Sequence, residues 1–231
     1  MRRNSQNLAM LAVVAQGLSH LKGKVAFVGG ATIDLYLTDP AAPPSRATDD
    51  VDCVVELTSA KDYHDLEKPL RALGFTHDQS EGAPLCRWLY CGIKVDVMPD
   101  KGSALGFTNR WYPDGLANTV AMTLPGPQEI RVFSLPYLIA SKLEAFKDRG
   151  RNDYAGSSDL EDVVALLDGC PDARAQIAQA PPAVKTYLAA RFASFLKEER
   201  FLDSVPGLMP GGAGRAARLL ELLRELSAKG N

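Results

Sequence analysis

The sequence predicts an α+β protein, with a β-sheet core flanked by helices over residues 1–133 and a helical C-terminal part over residues 134–231. Three observations carry this prediction. Short apolar runs of strand length, Lys24 to Val28, Asp50 to Leu57, Cys86 to Tyr90, Ile93 to Met98 and Glu129 to Phe133, all fall in the first part. Beyond Gly169-Cys170-Pro171 only helical patterning remains. The chain has 231 residues, of which 46% are hydrophobic and 23% charged, enough for one full core and a smaller appendage.

In chain order, Leu8, Leu11, Ala12, Ala15, Leu18 and Leu21 recur at helical spacing and predict a helix from Ser5 to Leu21 that Gly23 ends. Lys24 to Val28 is a strand, and after Gly29-Gly30 a helix carries Ile33, Leu35, Tyr36 and Leu37. Thr38 to Ser45, with three prolines, is a connection without regular structure that delivers the chain to the strand beginning at Asp50. Thr58 to Leu73 reads as a helix capped by Ser59, with Tyr63, Leu66, Leu70 and Leu73 on its apolar face and Gly74 at its end. Cys86 to Tyr90 and Ile93 to Met98 flank Cys91-Gly92 as a hairpin.

Gly102 to Leu116 reads as a loop. In it Arg110 beside Trp111 and Tyr112 either stacks on a base or holds a phosphate, or the two rings cover the core. Ser134 caps a helix with Pro136 in its first turn, and Ser158-Asp159-Leu160-Glu161 is a capping-box pattern opening another. Helices follow at Ala173 to Ala178, Pro181 to Phe201 and Gly214 to Ala228. The last repeats Leu219, Leu222, Leu223 and Leu226 and needs a partner surface.

Bulk properties exclude several classes. A formal charge of −2 gives no global attraction to nucleic acid or membrane, so an RNA partner needs a local basic patch. No apolar stretch reaches membrane-spanning length, and the N-terminal segment lacks a signal-peptide core. The four cysteines include no Cys-x-x-Cys and predict buried, reduced thiols in a cytoplasmic protein. The three histidines lie far apart without a His-Glu-x-x-His pattern, which argues against a zinc hydrolase, and Pro210-Gly211-Gly212 lacks the strand and lysine of a phosphate loop.

The chemistry concentrates between Val25 and Glu56. On a strand, Asp50 and Asp52 share one face while Val51, Cys53 and Val55 fill the other. Two carboxylates that close repel each other unless a positive charge lies between them, and a hard divalent cation is the usual answer. The glycine pair lets a ligand approach backbone without a side chain in the way. Asp96 alternates with Val95 and Val97 and faces either solvent or a site. Lys142 falls within the stripe of Leu138 and Phe146, so it either snorkels or points its ammonium at a buried anion. The cap and the helix dipole account for Glu161 and much of Asp159, but not for Asp162.

Val28-Gly29-Gly30-Ala31-Thr32 followed by Arg46 through Asp52 resembles the nucleotidyltransferase superfamily that includes DNA polymerase beta. Its signature is a hydrophobic residue, Gly-Gly or Gly-Ser, a helix, then Asp-x-Asp or Asp-x-Glu on a strand. Within it the chain is closer to the AbiEii/AbiGii toxin-like nucleotidyltransferases, over about the first two-thirds of its length. The resemblance implies a mixed β-sheet nucleotidyltransferase core in which Asp50, Asp52 and Asp96 hold two Mg2+ ions and carry catalysis, Asp96 serving as base. It implies that Gly29 and Gly30 admit the phosphates of an NTP such as ATP, that Lys142 contacts the triphosphate, and that Asp159 and Asp162 support the nucleotide site. The implied reaction moves a nucleoside monophosphate from an NTP to an acceptor hydroxyl. In the toxin-like branch the acceptor is RNA, tRNA ends included, and a cognate antitoxin is a partner. Lys147, Arg149, Arg151, Arg191, Lys197, Arg200, Arg215 and Arg218 would serve RNA if they converge. The alternatives are a nucleotidyltransferase that modifies a small molecule, as antibiotic-modifying relatives do, and a nucleotide- or partner-binding module without catalysis.

Overall fold

The computed structural model describes residues 6–21, 25–57, 60–101, 109–150, 152–209 and 212–228. Ser5, Gly23, Lys24, Thr58, Ser59, Arg151, Pro210, Gly211 and residues 102–108, on which sequence expectations fall, lie outside them. The protein is α+β, with a seven-stranded mixed sheet, flanking helices and a helical C-terminal part. The chain divides into two compact units, residues 1–34 with 46–134 and residues 35–45 with 135–231.

The first unit holds β1 (Val25–Val28), β2 (Asp50–Val55), β3 (Thr76–His77), β4 (Arg87–Tyr90), β5 (Ile93–Pro99), β6 (Thr119–Thr123) and β7 (Glu129–Phe133), in the order β3-β4-β5-β2-β1-β7-β6. β1 with β7 and β2 with β5 are parallel pairs, and the other neighbours are antiparallel. The middle strands are the apolar ones because they are covered on both faces: all four residues of β1 are buried, as are Val51, Cys53, Val54 and Val55 of β2. Helix α1 (Gln6–Gly17) buries Leu8, Leu11, Val14 and Ala15, and α2 (Ala60–Ala72) ends at Gly74, whose φ is +90°. Between β4 and β5, Cys91 and Gly92 have φ of +50° and +78°, the paired left-handed geometry of a two-residue hairpin turn. Cys91 is exposed at that turn, unlike the buried Cys53, Cys86 and Cys170, which corrects the expectation that all four thiols are buried.

Two further expectations are corrected. The segment after the glycine pair is a 3-10 stretch, Gly30–Leu35, in place of an α-helix. Thr32 donates both its amide (3.3 Å) and its hydroxyl (2.9 Å) to the Gly29 carbonyl, tightening the turn. The loop expected up to Leu116 contains α3 (Tyr112–Ala117), which starts with Pro113 in its first turn. Trp111 is buried, with Arg110 over its ring, and the half-buried Tyr112 meets Phe133 edge-on at 6.1 Å. Strand β6 left no signal in the sequence because it is an edge strand with little burial, fixed by its pairing to β7.

The second unit consists of α4 (Leu135–Arg149), α5 (Ser158–Gly169), α6 (Ala173–Ala178), α7 (Pro182–Phe195), α8 (Glu199–Leu208) and α9 (Ala213–Ala228), with residues 35–45. The cap of α5 is Ser157, one residue earlier than the capping-box pattern suggested, and its hydroxyl accepts from the Leu160 amide at 3.3 Å. The single helix expected from Pro181 to Phe201 is broken into α7 and α8. Tight bonds from Lys197 to Ser194 and from Glu198 to Phe195 turn the chain, and Phe201 folds back to stack on Phe195 at 4.8 Å.

Helix α9 packs mainly on α7, which supplies the partner surface its leucine stripe required. The proline-rich connection has no regular structure, and Arg215 of α9 holds it: Nη2 pairs with Asp39 at 3.1 Å, Nη1 donates to the Ala41 carbonyl, and Nε bonds Asp168 at 2.8 Å. Among the described residues, no helix is long and apolar enough to cross a membrane.

Leu223 is 2% exposed on the face α9 turns inward. Leu223→Ala is expected to lower stability by about 2–5 kcal/mol, and Glu221→Ala on the same helix by less than about 0.5 kcal/mol, read as urea midpoints at unchanged slope.

Candidate active site

The parallel pairing of β2 and β5 sets Asp52 level with Asp96 and Asp50 level with Lys94. Because strand side chains alternate, Asp50, Asp52 and Asp96 lie on one face of the sheet. The three acidic residues singled out in the sequence thus share one face of two adjacent strands in the first unit. Asp96 is buried, and the Asp50 side chain is about a third exposed, at 31%.

A residue absent from the sequence reading lies among them. Arg87 of β4 stands opposite Asp96 in the antiparallel β4–β5 ladder. Its guanidinium forks onto that carboxylate, Nε to Oδ1 at 2.8 Å and Nη2 to Oδ2 at 2.7 Å, and Nη2 also reaches Asp50 Oδ2 at 3.2 Å. One nitrogen therefore bridges two of the three carboxylates. The bond to Asp96 raises the Arg87 pKa against the opposing effect of desolvation, so the guanidinium stays charged. The signal that could have found Arg87 is the Cys91-Gly92 turn. A two-residue loop makes Tyr90 oppose Ile93 and hence Arg87 oppose Asp96.

The head of β2 is fixed from α1. Asn7, buried, donates to the Arg46 carbonyl at 2.9 Å and accepts from the Thr48 amide at 3.2 Å, and the Thr48 hydroxyl donates to Asp50 Oδ1 at 2.8 Å. The Gly29 backbone, at φ +75°, lies so close to Asp52 that a Cβ there would collide with the carboxylate. A Cβ on Gly30 would lie 3.1 Å from the Arg46 guanidinium. The glycine pair thus makes room for the Asp52 carboxylate and for Arg46. Behind it the chain continues as the six-residue 3-10 stretch.

The residues suit a hard divalent cation in chemistry, since the donors are carboxylate oxygens on one sheet face. Thiolates are not part of the set. Burial pushes the Cys86 thiol up to about 12, with the Asp96 charge adding to it, and burial with the charges of Asp52 and Asp96 raises Cys53 further. In the arrangement described, the position between Asp50 and Asp96 belongs to the Arg87 guanidinium, and among the described residues no three acidic, histidine or cysteine side chains converge as a metal cage.

The remaining candidates meet in the second unit. Lys142 is buried, and its Nζ lies 2.7 Å from Asp162 and 3.2 Å from Asp159. Arg149 forks onto Asp159 at 2.9 and 3.0 Å. Of the two readings open for Lys142, the buried anion is the one observed, and the anions are Asp159 and Asp162. These four side chains are formally neutral together. Burial alone would raise the Asp159 carboxyl, but the Arg149 hydrogen bonds and the charges of Lys142 and Arg149 outweigh it, and the carboxyl is lowered. Of the basic residues considered for RNA, Arg149 and Arg215 are held by carboxylates, while Arg191 and Arg200 lie over Phe195 and Tyr154.

No protein-family model matches the chain, and no curated protein matches it.

Gly29→Ala is expected to cost at least about 1–2 kcal/mol, the penalty of left-handed backbone for an L-residue, and to displace Asp52. Equilibrium unfolding and the amide shifts of β2 would report both. Because its carboxyl is lowered on folding, Asp159 contributes stability that is present above about pH 4 and lost as pH falls through its folded value. The gap in urea midpoint between wild type and Asp159→Asn should therefore be full at pH 7 and shrink below about pH 4.

Proposed function

We propose that the chain is a magnesium-dependent nucleotidyltransferase that moves a nucleoside monophosphate from an NTP to an acceptor hydroxyl. The observation that carries this reading is the β2–β5 register, which sets Asp52 level with Asp96 and keeps Asp50 on the same face. In such transfers the protein contributes positioning and charge neutralisation more than covalent steps.

On this reading Asp50, Asp52 and Asp96 would hold the metal, which when bound neutralises the triphosphate and lowers the pKa of the acceptor hydroxyl. The chain's own contributions follow from its contacts. Thr48, tied through Asn7 to α1, orients the Asp50 carboxylate, and the absent side chain at Gly29 lets Asp52 reach its place. The acceptor oxygen bonds to the α-phosphorus, pyrophosphate departs, and the hydroxyl proton passes to a carboxylate oxygen of Asp96. In the second unit, Lys142 neutralises Asp159 and Asp162.

RNA, tRNA included, is the acceptor class that the resemblance to AbiEii-like toxins supplies, together with a cognate antitoxin as partner. A small hydroxylated acceptor is the second reading. It is favoured by the commitment of Arg149 and Arg215 to carboxylates, which removes two cations from an RNA-binding patch.

The test incubates the protein with each labelled NTP and Mg2+, with total tRNA or with a panel of small hydroxylated molecules, and follows the label. Transfer is expected with wild type, and the labelled acceptor decides between the two classes. Asp52→Asn should lose more than the ~100-fold that removing a group behind a metal ligand costs, with an unchanged circular dichroism spectrum. Wild type that labels nothing under any of these conditions, or Asp52→Asn that transfers at the wild-type rate, would sink the proposal.

A further inference from the structure

We propose that Arg87 is the resident counter-cation of the carboxylate cluster, and that a divalent metal loads by displacing its guanidinium from Asp96 and Asp50. This rests on the nucleotidyltransferase reading for the identity of the metal, Mg2+. It adds that metal loading is a competition between two cations for the same oxygens.

Geometry carries the inference. Nε and Nη2 of Arg87 engage both oxygens of Asp96, and the same Nη2 touches Asp50, so one planar group occupies the cation position between two of the three acids. Arginine is not deprotonated at any working pH, so the charge leaves only if the side chain moves. Movement has a route: the Arg87 side chain is 19% exposed, so part of it already meets solvent, whereas Lys142 of the second unit is 8% exposed. Mg2+ sheds water reluctantly and requires near-octahedral oxygen ligands, and a guanidinium hydrogen-bonded to two of those ligands opposes it by charge and by occupancy. In this arrangement Arg87 offsets the repulsion among the acids while no metal is bound, and its release frees a cation within reach of whatever binds next.

If the Arg87-paired form accounts for about 90–99% of the metal-free protein, apparent metal affinity is reduced about 10–100-fold, because only the remainder is competent to bind. Arg87→Gln should therefore bind Mn2+, used as a calorimetric probe, at least about tenfold more tightly than wild type. Lys94→Gln is the charge control. Lys94 is exposed and level with Asp50 across the β2–β5 ladder, outside the guanidinium fork, and its loss should change affinity less than about fivefold.

A second measurement needs no stable variant beyond the one used for assignment. In wild type, the Arg87 Nε–H resonance, identified by its absence in Arg87→Lys, should shift and lose exchange protection as Mg2+ is titrated. The inference is overturned if Arg87→Gln binds Mn2+ no more tightly than wild type, or if the Nε–H signal is unchanged at saturating Mg2+. In either case a wild-type site that Asp52→Asn abolishes leaves the nucleotidyltransferase reading standing. Should neither wild type nor Arg87→Gln take up Mn2+, both readings fall together. If Arg87→Gln fails to fold, shown by its circular dichroism, the wild-type titration alone decides.

Discussion

The parallel pairing of β2 with β5 places Asp52 level with Asp96 on strands about 5 Å apart. At an effective dielectric of about 20, two like charges at that distance repel by about 3 kcal/mol. The first unit offsets this locally. Arg87 arrives from the next strand along the sheet, and the hairpin turn at Cys91-Gly92 sets the register that aims it at Asp96. Asn7 and Thr48 hold the head of β2 from the other direction, and Gly29 supplies the space that the Asp52 carboxylate fills. What places the acids is therefore backbone pairing, and what makes their proximity tolerable is a cation delivered by the same pairing.

The second unit solves the same problem with a different cast. Asp159 and Asp162 are nearly inaccessible, at 3% and 1%, and each is compensated by Lys142, with Arg149 completing Asp159. Asp168 and Asp39 are compensated by Arg215, which also donates to a carbonyl of the proline-rich connection. A segment that cannot form helix or strand is thereby given partners for its polar groups, and a buried charge of this kind is expensive to strand alone. The arginines that looked available to a polyanion in the sequence include two that the structure uses for this internal work.

Much of this fold was legible in the sequence because it rests on local patterning. The strands around Val25, Asp50, Ile93 and Glu129, the hairpin at Cys91-Gly92 and the long helix through Lys142 each follow from apolar periodicity or turn chemistry within a dozen residues. The misses have non-local causes. β6 is specified by pairing with β7, and its own residues are mostly exposed. The break between α7 and α8 depends on Phe201 finding Phe195. The cap at Ser157 differs from Ser158 only in which hydroxyl faces the free amide of Leu160, a choice made by backbone angles.

The same division holds for the candidate site. Sequence alone determined that Asp50 and Asp52 share a strand face behind a glycine pair, because a period of two and the lack of a Cβ are properties of the chain itself. It also singled out Lys142 as a cation on an inward face. Only the tertiary structure decided which strand lies beside β2 and in what register, and hence that Asp96, with the Arg87 its hairpin sets opposite, joins Asp50 and Asp52. It alone decided that the Lys142 ammonium meets Asp159 and Asp162. The reason is physical: a charge reveals its partner only when long-range pairing has brought the two within a few ångströms, and no periodicity along the chain encodes that distance.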